Sequence, residues 1–250
     1  PLFLAKDMLE GYAANLEMRR RLDGADIWVV PLVNPDGYEY SRTEDSWWRK
    51  NRRPVDDTGC PDRPPRGAVG VDLNRNYDDG LPEHAHIYRP PSDKPCRTDD
   101  DFGRATSDDP RDDTYRGPRG ASEPEVQALL KLELGRGNIK GVIDHHGYGQ
   151  MILYPWGNTS QPVENVAEYR RIANRMNEAS GNRFRVMQSI ELYPTSGGSH
   201  DVHHANGIMS MTLEIGRSFQ PDPGQIEPIA KQVAAANLVF LDEILAKNPP

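Results

Sequence analysis

The sequence predicts an α/β fold: a mixed, partly parallel, twisted sheet sandwiched by helices, with long irregular loops around the site. Three observations carry this. In the second half, short apolar runs at 139–144, 151–154, 184–190 and 208–215 alternate with longer stretches whose apolar residues recur at helical spacing. Near the start, residues 25–33 form a mostly apolar run rich in β-branched side chains. Between them, residues 41–122 are dominated by Pro, Gly, Asp and Arg with scattered apolar residues, the composition of a long loop region.

Each element has a local reason. Leu2, Phe3, Ala5, Met8, Leu9 and Tyr12 mark a first helix, and the charged stretch from Glu17 to Arg21 is expected to face solvent as that helix runs out. The run at 25–33 is expected to be a buried strand, stopped by the turn sequence Asn34-Pro35-Asp36-Gly37. Ser122-Glu123-Pro124-Glu125 has the spacing of a capping box, and Val126, Leu129 and Leu130 supply the buried stripe of a helix reaching about Leu134. Val163, Val166, Tyr169, Ile172, Ala173 and Met176 mark a long helix closed by Gly181. Residues 226–245 are a terminal amphipathic helix.

Composition narrows the function. The 250 residues carry 30 Lys plus Arg against 38 Asp plus Glu, a net charge of −8, which argues against a polyanion binder and so against a nucleic-acid partner. No apolar run approaches the ~20 residues that span a bilayer. Cys60 and Cys96 are too few for a cysteine-based zinc site; a disulfide and two free thiols both remain open. The chain opens at Pro1-Leu2-Phe3-Leu4 without an initiator Met, as expected of a fragment or a processed product.

Several residues could carry chemistry. His145-His146 ends an apolar strand, where α/β sheets place catalytic groups, and alternation lets only one of the two face a given site. Glu214 lies in the apolar run at 208–215, where desolvation raises a carboxyl toward the range of a general base; the alternative is a strand-end Glu that reaches water. Asn74-Arg75-Asn76 sets an Arg fork beside amides, which suits a grip on a carboxylate. His200 and His203 have a helical metal-pair spacing but no third ligand placed near them, so no metal is assigned there and Ser199 is taken as a helix cap. The Asp-rich positions 99–113 lack calcium-loop spacing and are expected to be a solvated acidic loop.

Taken together and in order, six segments resemble the zinc metallocarboxypeptidases of the carboxypeptidase A type. They are Asn34-Pro35-Asp36-Gly37-Tyr38, Trp48-Arg49-Lys50, the stretch from Gly70 through Asn74-Arg75-Asn76 to Tyr77, the stretch from His146-Gly147-Tyr148 to Tyr154-Pro155-Trp156-Gly157, the stretch from Tyr193 to Ser199, and Thr212-Leu213-Glu214. The resemblance covers nearly the whole chain. It implies a single catalytic domain over 1–250 and a Zn²⁺-dependent exopeptidase that removes the last residue from peptide or protein C-termini, in a secreted or periplasmic setting.

It also implies roles. His146 resembles a zinc ligand, Glu214 the general base, and Arg49 the cation that stabilises the oxyanion. Asn74 and Arg75 resemble the clamp on the terminal carboxylate, Tyr193 the tyrosine that closes over it, and Tyr148 a further substrate contact. The pocket for the terminal side chain would be lined by Leu153, Gly157, Leu192, Thr195, Gly198, His200 and Thr212. In the family the position of His200 is apolar where aromatic or aliphatic residues are removed and charged where basic or acidic ones are; His there disfavours basic side chains.

The chain departs from the family in one respect. The other two zinc ligands come from a His-x-x-Glu motif before the first helix, and no His precedes His84. One imidazole cannot hold a catalytic zinc, which takes three protein ligands, so the N-terminal portion is expected to be missing and this chain to be metal-poor and inactive. A carboxylate-binding relative without a metal site, and an amidohydrolase of N-acyl amino acids, are the alternatives.

Overall fold

The four apolar runs of the second half pair into one sheet. In the computed structural model, which describes residues 1–58, 67–88 and 105–249, the strands are β1 (Gly141–Gly147), β2 (Met151–Tyr154), β3 (Arg185–Gln188) and β4 (Met209–Ile215). Their order is β1-β4-β2-β3. β1 is parallel to β4 and β2 to β3, while β2 and β4 are antiparallel, so the sheet is mixed and partly parallel as its sequence predicts. Helix α5 (Val166–Ala179) makes the crossover that the parallel β2–β3 pair requires.

The period of two sorts the side chains. On one face Ile143, Ile152, Tyr154, Met211 and Leu213 join Tyr169, Ile172 and Met176 of α5 and Val233, Ala236 and Phe240 of α7 (Pro223–Lys247) in the main core. On the other, Met151, Leu153 and Met187 form a small apolar cluster beside polar positions of β1 and β4. A third cluster, Leu73, Tyr77, Ile87, Val126, Leu129 and Val202, ties the loop layer to α4 (Pro124–Glu133) and α6 (Ser199–Ala205).

The N-terminal region differs from expectation. The first helix divides into α1 (Leu2–Ala14) and α2 (Leu16–Gly24), because Asn15 is extended and its side chain accepts the Glu17 and Met18 N–H groups at 2.9 and 3.2 Å, starting a new helix. The basic stretch is not simply solvated: Arg21 pairs with Asp242 of α7 at 2.7 Å. Residues 25–33 form no strand, since no neighbouring segment among the described residues pairs with them, and Trp28, Val30, Leu32 and Val33 are exposed. Asn34-Pro35-Asp36-Gly37 opens α3 (Pro35–Thr43) rather than a turn: Asn34 caps the Gly37 N–H at 3.0 Å and Pro35 occupies a first-turn position whose missing N–H costs nothing.

Two loop expectations also change. α4 is capped at Glu123, and no capping box forms, because Ser122 Oγ donates to the Glu123 carboxylate and Glu125 faces Asn51. Asp108 and Asp109 are not solvated: Asp109 is buried against Arg111 (2.8 Å), and Asp108 pairs with the buried Arg116. Cys60, Cys96 and the Asp99–Asp101 run lie outside the described residues.

Candidate active site

β1 and β4 are in register with His146 opposite Glu214 and Asp144 opposite Thr212. Opposed residues of a parallel pair share a face, so imidazole and carboxylate project together from the C-terminal ends of both strands. His145 points the other way, and its Nε2 lies 2.9 Å from Asn237 Nδ2 on α7. Burial pushes His146 down to about 4, leaving a neutral ring at neutral pH. Burial pushes Glu214 up to about 7, against the opposing pull of Arg49 and Arg75.

The loop 72–76 brings the cations to this pair. Asp72 caps a single 3-10 turn, Leu73–Arg75: one of its oxygens accepts the Asn74 N–H (3.1 Å) and the other accepts Arg49 Nε (2.8 Å). Burial works to raise the Asp72 carboxyl, but Arg49 and Arg75 outweigh it and hold the group below the ordinary carboxylate value. Asp72 in turn raises Arg49. Arg75 is itself buried, which lowers it, while Asp72 and Tyr193 pull the other way; its Nη1 donates to Asn74 O (2.8 Å) and its Nε to Ala105 O. Asn74 joins the two halves, with Nδ2 3.4 Å from His146 Nε2 and Oδ1 accepting the Ser199 N–H at 3.0 Å.

His146, Glu214, Arg49, Asn74, Arg75 and Tyr193 thus converge. His200 is buried beside Thr212, 3.1 Å from its Nδ1 to Oγ1. Tyr148 stands at the exposed rim, edge-on to Phe219 with ring centres 4.7 Å apart.

The zinc carboxypeptidase profile matches residues 2–236. The chain belongs to the zinc carboxypeptidase family. It is 31% identical over 259 residues to carboxypeptidase A1 of Rattus norvegicus, covering 99% of this chain and 55% of that protein. Against carboxypeptidase O of Homo sapiens it is 30% identical over 257 residues, covering 98% and 61%. The chain therefore spans a little over half the length of these curated relatives. Among solved structures it resembles thrombin activatable fibrinolysis inhibitor, with a TM-score of 0.82 and 25% identity over 98% of this chain and 60% of that one. The bovine form in complex with tick carboxypeptidase inhibitor gives a TM-score of 0.81 at 26% identity, over 98% and 76%.

A zinc carboxypeptidase implies Zn²⁺, and the residues can be tested for it. A catalytic zinc takes three protein ligands and keeps one position open. Among the described residues, no three His, Cys, Asp or Glu side chains form a group that could hold a metal. His146, with its buried neutral ring, suits one ligand; the described residues alone do not complete the site. His203, the other half of the candidate metal pair, is engaged by Glu133 at 2.8 Å.

Three positioning residues escape a motif-by-motif reading. Asp72 is the hub between Arg49 and the Asn74 backbone, and its signal is a carboxylate set in an apolar run between two Arg positions. Asp144 accepts the Ser199 hydroxyl, so Ser199 is not the helix cap; α6 is capped at Gly198. Asp201, wholly buried, takes the Gly157 N–H on both oxygens at 2.9 and 3.0 Å. Neither pairing leaves a periodicity in the sequence.

Proposed function

We propose that this chain carries the substrate-recognition and proton-transfer machinery of a metallo-exopeptidase that removes single residues from peptide or protein C-termini. The observation that carries the reading is the contact between Asn74 and His146, which couples a buried Arg75–Asn74 pair to the His146–Glu214 pair. A buried guanidinium beside an amide binds a free carboxylate, and so selects chain ends over internal bonds. Glu214, with its carboxyl near 7, can take a proton from an attacking water at neutral pH and return it to the leaving amine. Arg49, oriented by Asp72, neutralises an oxyanion that develops as the carbonyl is attacked. Tyr193, which acts on Arg75 and is 43% exposed, would cover the bound carboxylate, and Tyr148 would flank the rest of the peptide. His146 would be one ligand of the family's zinc, and a secreted or periplasmic setting completes the proposal.

The same geometry carries a second reading, a carboxylate-binding chain without catalysis, favoured by the lack of a three-ligand cluster among the described residues. Calorimetry and mass spectrometry separate the two. A peptide with a free C-terminus should bind at least about tenfold more tightly than its C-terminal amide, with Arg75→Ala removing the difference. Stepwise loss of single C-terminal residues in the presence of Zn²⁺, abolished by Glu214→Gln, supports the enzyme. Binding without turnover supports the second reading, and equal binding of acid and amide overturns both.

A further inference from the structure

The base of the pocket beside the carboxylate grip is polar, and one of its groups has nothing to bond. His200 is 4% exposed. Its Nδ1 is engaged by Thr212 Oγ1 at 3.1 Å, whereas its Nε2 is buried without a hydrogen-bond partner among the described residues. Asp201 Oδ1 lies 3.3 Å from that nitrogen but out of line for a hydrogen bond, and both Asp201 oxygens are occupied by the Gly157 N–H. A buried ring nitrogen left unpaired is costly, so it is expected to meet a polar partner.

Gly157 lies beside that nitrogen, together with two hydroxyls. A Cβ placed on Gly157 would lie 2.5 Å from Thr195 Oγ1, 3.2 Å from Ser189 Oγ and 3.3 Å from His200 Nε2. Three polar atoms are therefore gathered around Gly157, where any larger residue would clash with Thr195 Oγ1. All three groups are uncharged at neutral pH, since burial pushes His200 down to about 4.

Resting on the reading of Arg75 and Asn74 as the grip on a terminal carboxylate, we propose that the His200–Thr195–Ser189 pocket selects a C-terminal residue with a carboxamide side chain, asparagine or glutamine. A carboxamide both donates and accepts, so it satisfies His200 Nε2 in either tautomer of the ring and both hydroxyls as well. An ammonium only donates and a carboxylate only accepts. A carboxylate would carry an unpaired charge into a buried space, and an ammonium would have to compete with the Gly157 N–H for Asp201. An aliphatic side chain leaves the three polar atoms unpaired and dry.

Binding of four N-acetyl amino acids to this chain, followed by calorimetry at pH 7.5, tests the proposal, with Asn and Leu as a near-isosteric pair and Gln and Lys added. At least one amide should bind about tenfold or more above both Leu and Lys, a difference of about 1.4 kcal/mol. Thr195→Val and His200→Leu should each narrow or invert the Asn-to-Leu ratio. Thr195→Val preserves shape, and a thermal melt reports whether His200→Leu folds. Equal binding of the four, or a preference for Leu or Lys, overturns the carboxamide inference while leaving the carboxylate grip standing. If N-acetyl-Asn and its C-terminal amide derivative bind alike, the grip itself fails and the pocket assignment falls with it.

Discussion

Gly197 sits behind the carboxylate grip with φ +66, and a Cβ there would stand 2.2 Å from the Arg75 carbonyl oxygen. It cannot step aside: its N–H donates to Ile87 O at 2.8 Å and its carbonyl accepts the Tyr77 N–H at 3.0 Å. Gly197→Ala therefore meets two separate costs. The left-handed backbone costs an L-residue about 1–2 kcal/mol, and the clash with fixed backbone adds about 1–3 kcal/mol by analogy with overpacking. The reduced freedom of the unfolded chain returns about 0.4–1 kcal/mol.

Two other glycines isolate the components. Gly181 has φ +81 and open space around a Cβ, so Gly181→Ala carries the backbone cost alone. Gly198 has φ −79 and an ordinary 3.5 Å contact to His200 Cε1, so Gly198→Ala should be near neutral. Urea unfolding of the three variants should order them 198, 181, 197, with the last exceeding the second by about 1–3 kcal/mol at unchanged m. Gly197→Ala should also weaken binding of a free C-terminus, because the segment that moves is the Arg75–Asn76 peptide. A Gly197→Ala variant as stable as Gly181→Ala would refute the claim that this backbone contact is rigid.

Other predictions follow from the charges. Glu214 should titrate near 7 by carboxyl NMR, and Arg49→Gln should move it higher still, since Arg49 lowers it; a midpoint near 4.5 in the native chain would contradict its burial. Asp201, pushed up to about 7 by burial, binds its proton more tightly folded than unfolded. Stability should therefore fall as pH rises from about 4 to 7, by roughly 4 kcal/mol at most, and Asp201→Asn should flatten that slope in pH-dependent urea melts. Zn²⁺ should bind this chain weakly, and stoichiometric tight zinc by elemental analysis would show that ligands beyond His146 are in place. Asp72→Asn should lower stability by about 1–3 kcal/mol, since it removes the charged acceptor of the partly exposed Arg49 and of the Asn74 N–H, measured in the same melts.

The sequence by itself determined the secondary elements whose signals are local. The runs at 141–147, 151–154, 185–188 and 209–215 became strands, and Val166 to Ala179 a helix, because a short apolar run or a helical spacing is a local signal. It also named His146, Glu214, Arg49 and Asn74-Arg75 as candidates through their ordered motifs, and the fold brings them together. Some of its errors were local, as at Asn15 and Asn34, and others involved a distant partner. Residues 25–33 are apolar enough for a strand, yet a strand exists only when another pairs with it. Asp108 and Asp109 have the composition of a solvated loop, yet Arg116 and Arg111 bury them.

What the tertiary structure decided is the pairing of groups distant along the chain. Register sets His146 against Glu214, 68 residues on, and Asp72 reaches back to Arg49 across 23. Asn74 meets His146 across 72. The unpartnered nitrogen of His200 is visible only once Thr212 and Asp201 are in place around it. Hydrogen bonds and desolvation depend on distances of a few ångströms, whereas sequence separation constrains distance only over the short reach of a single turn or strand.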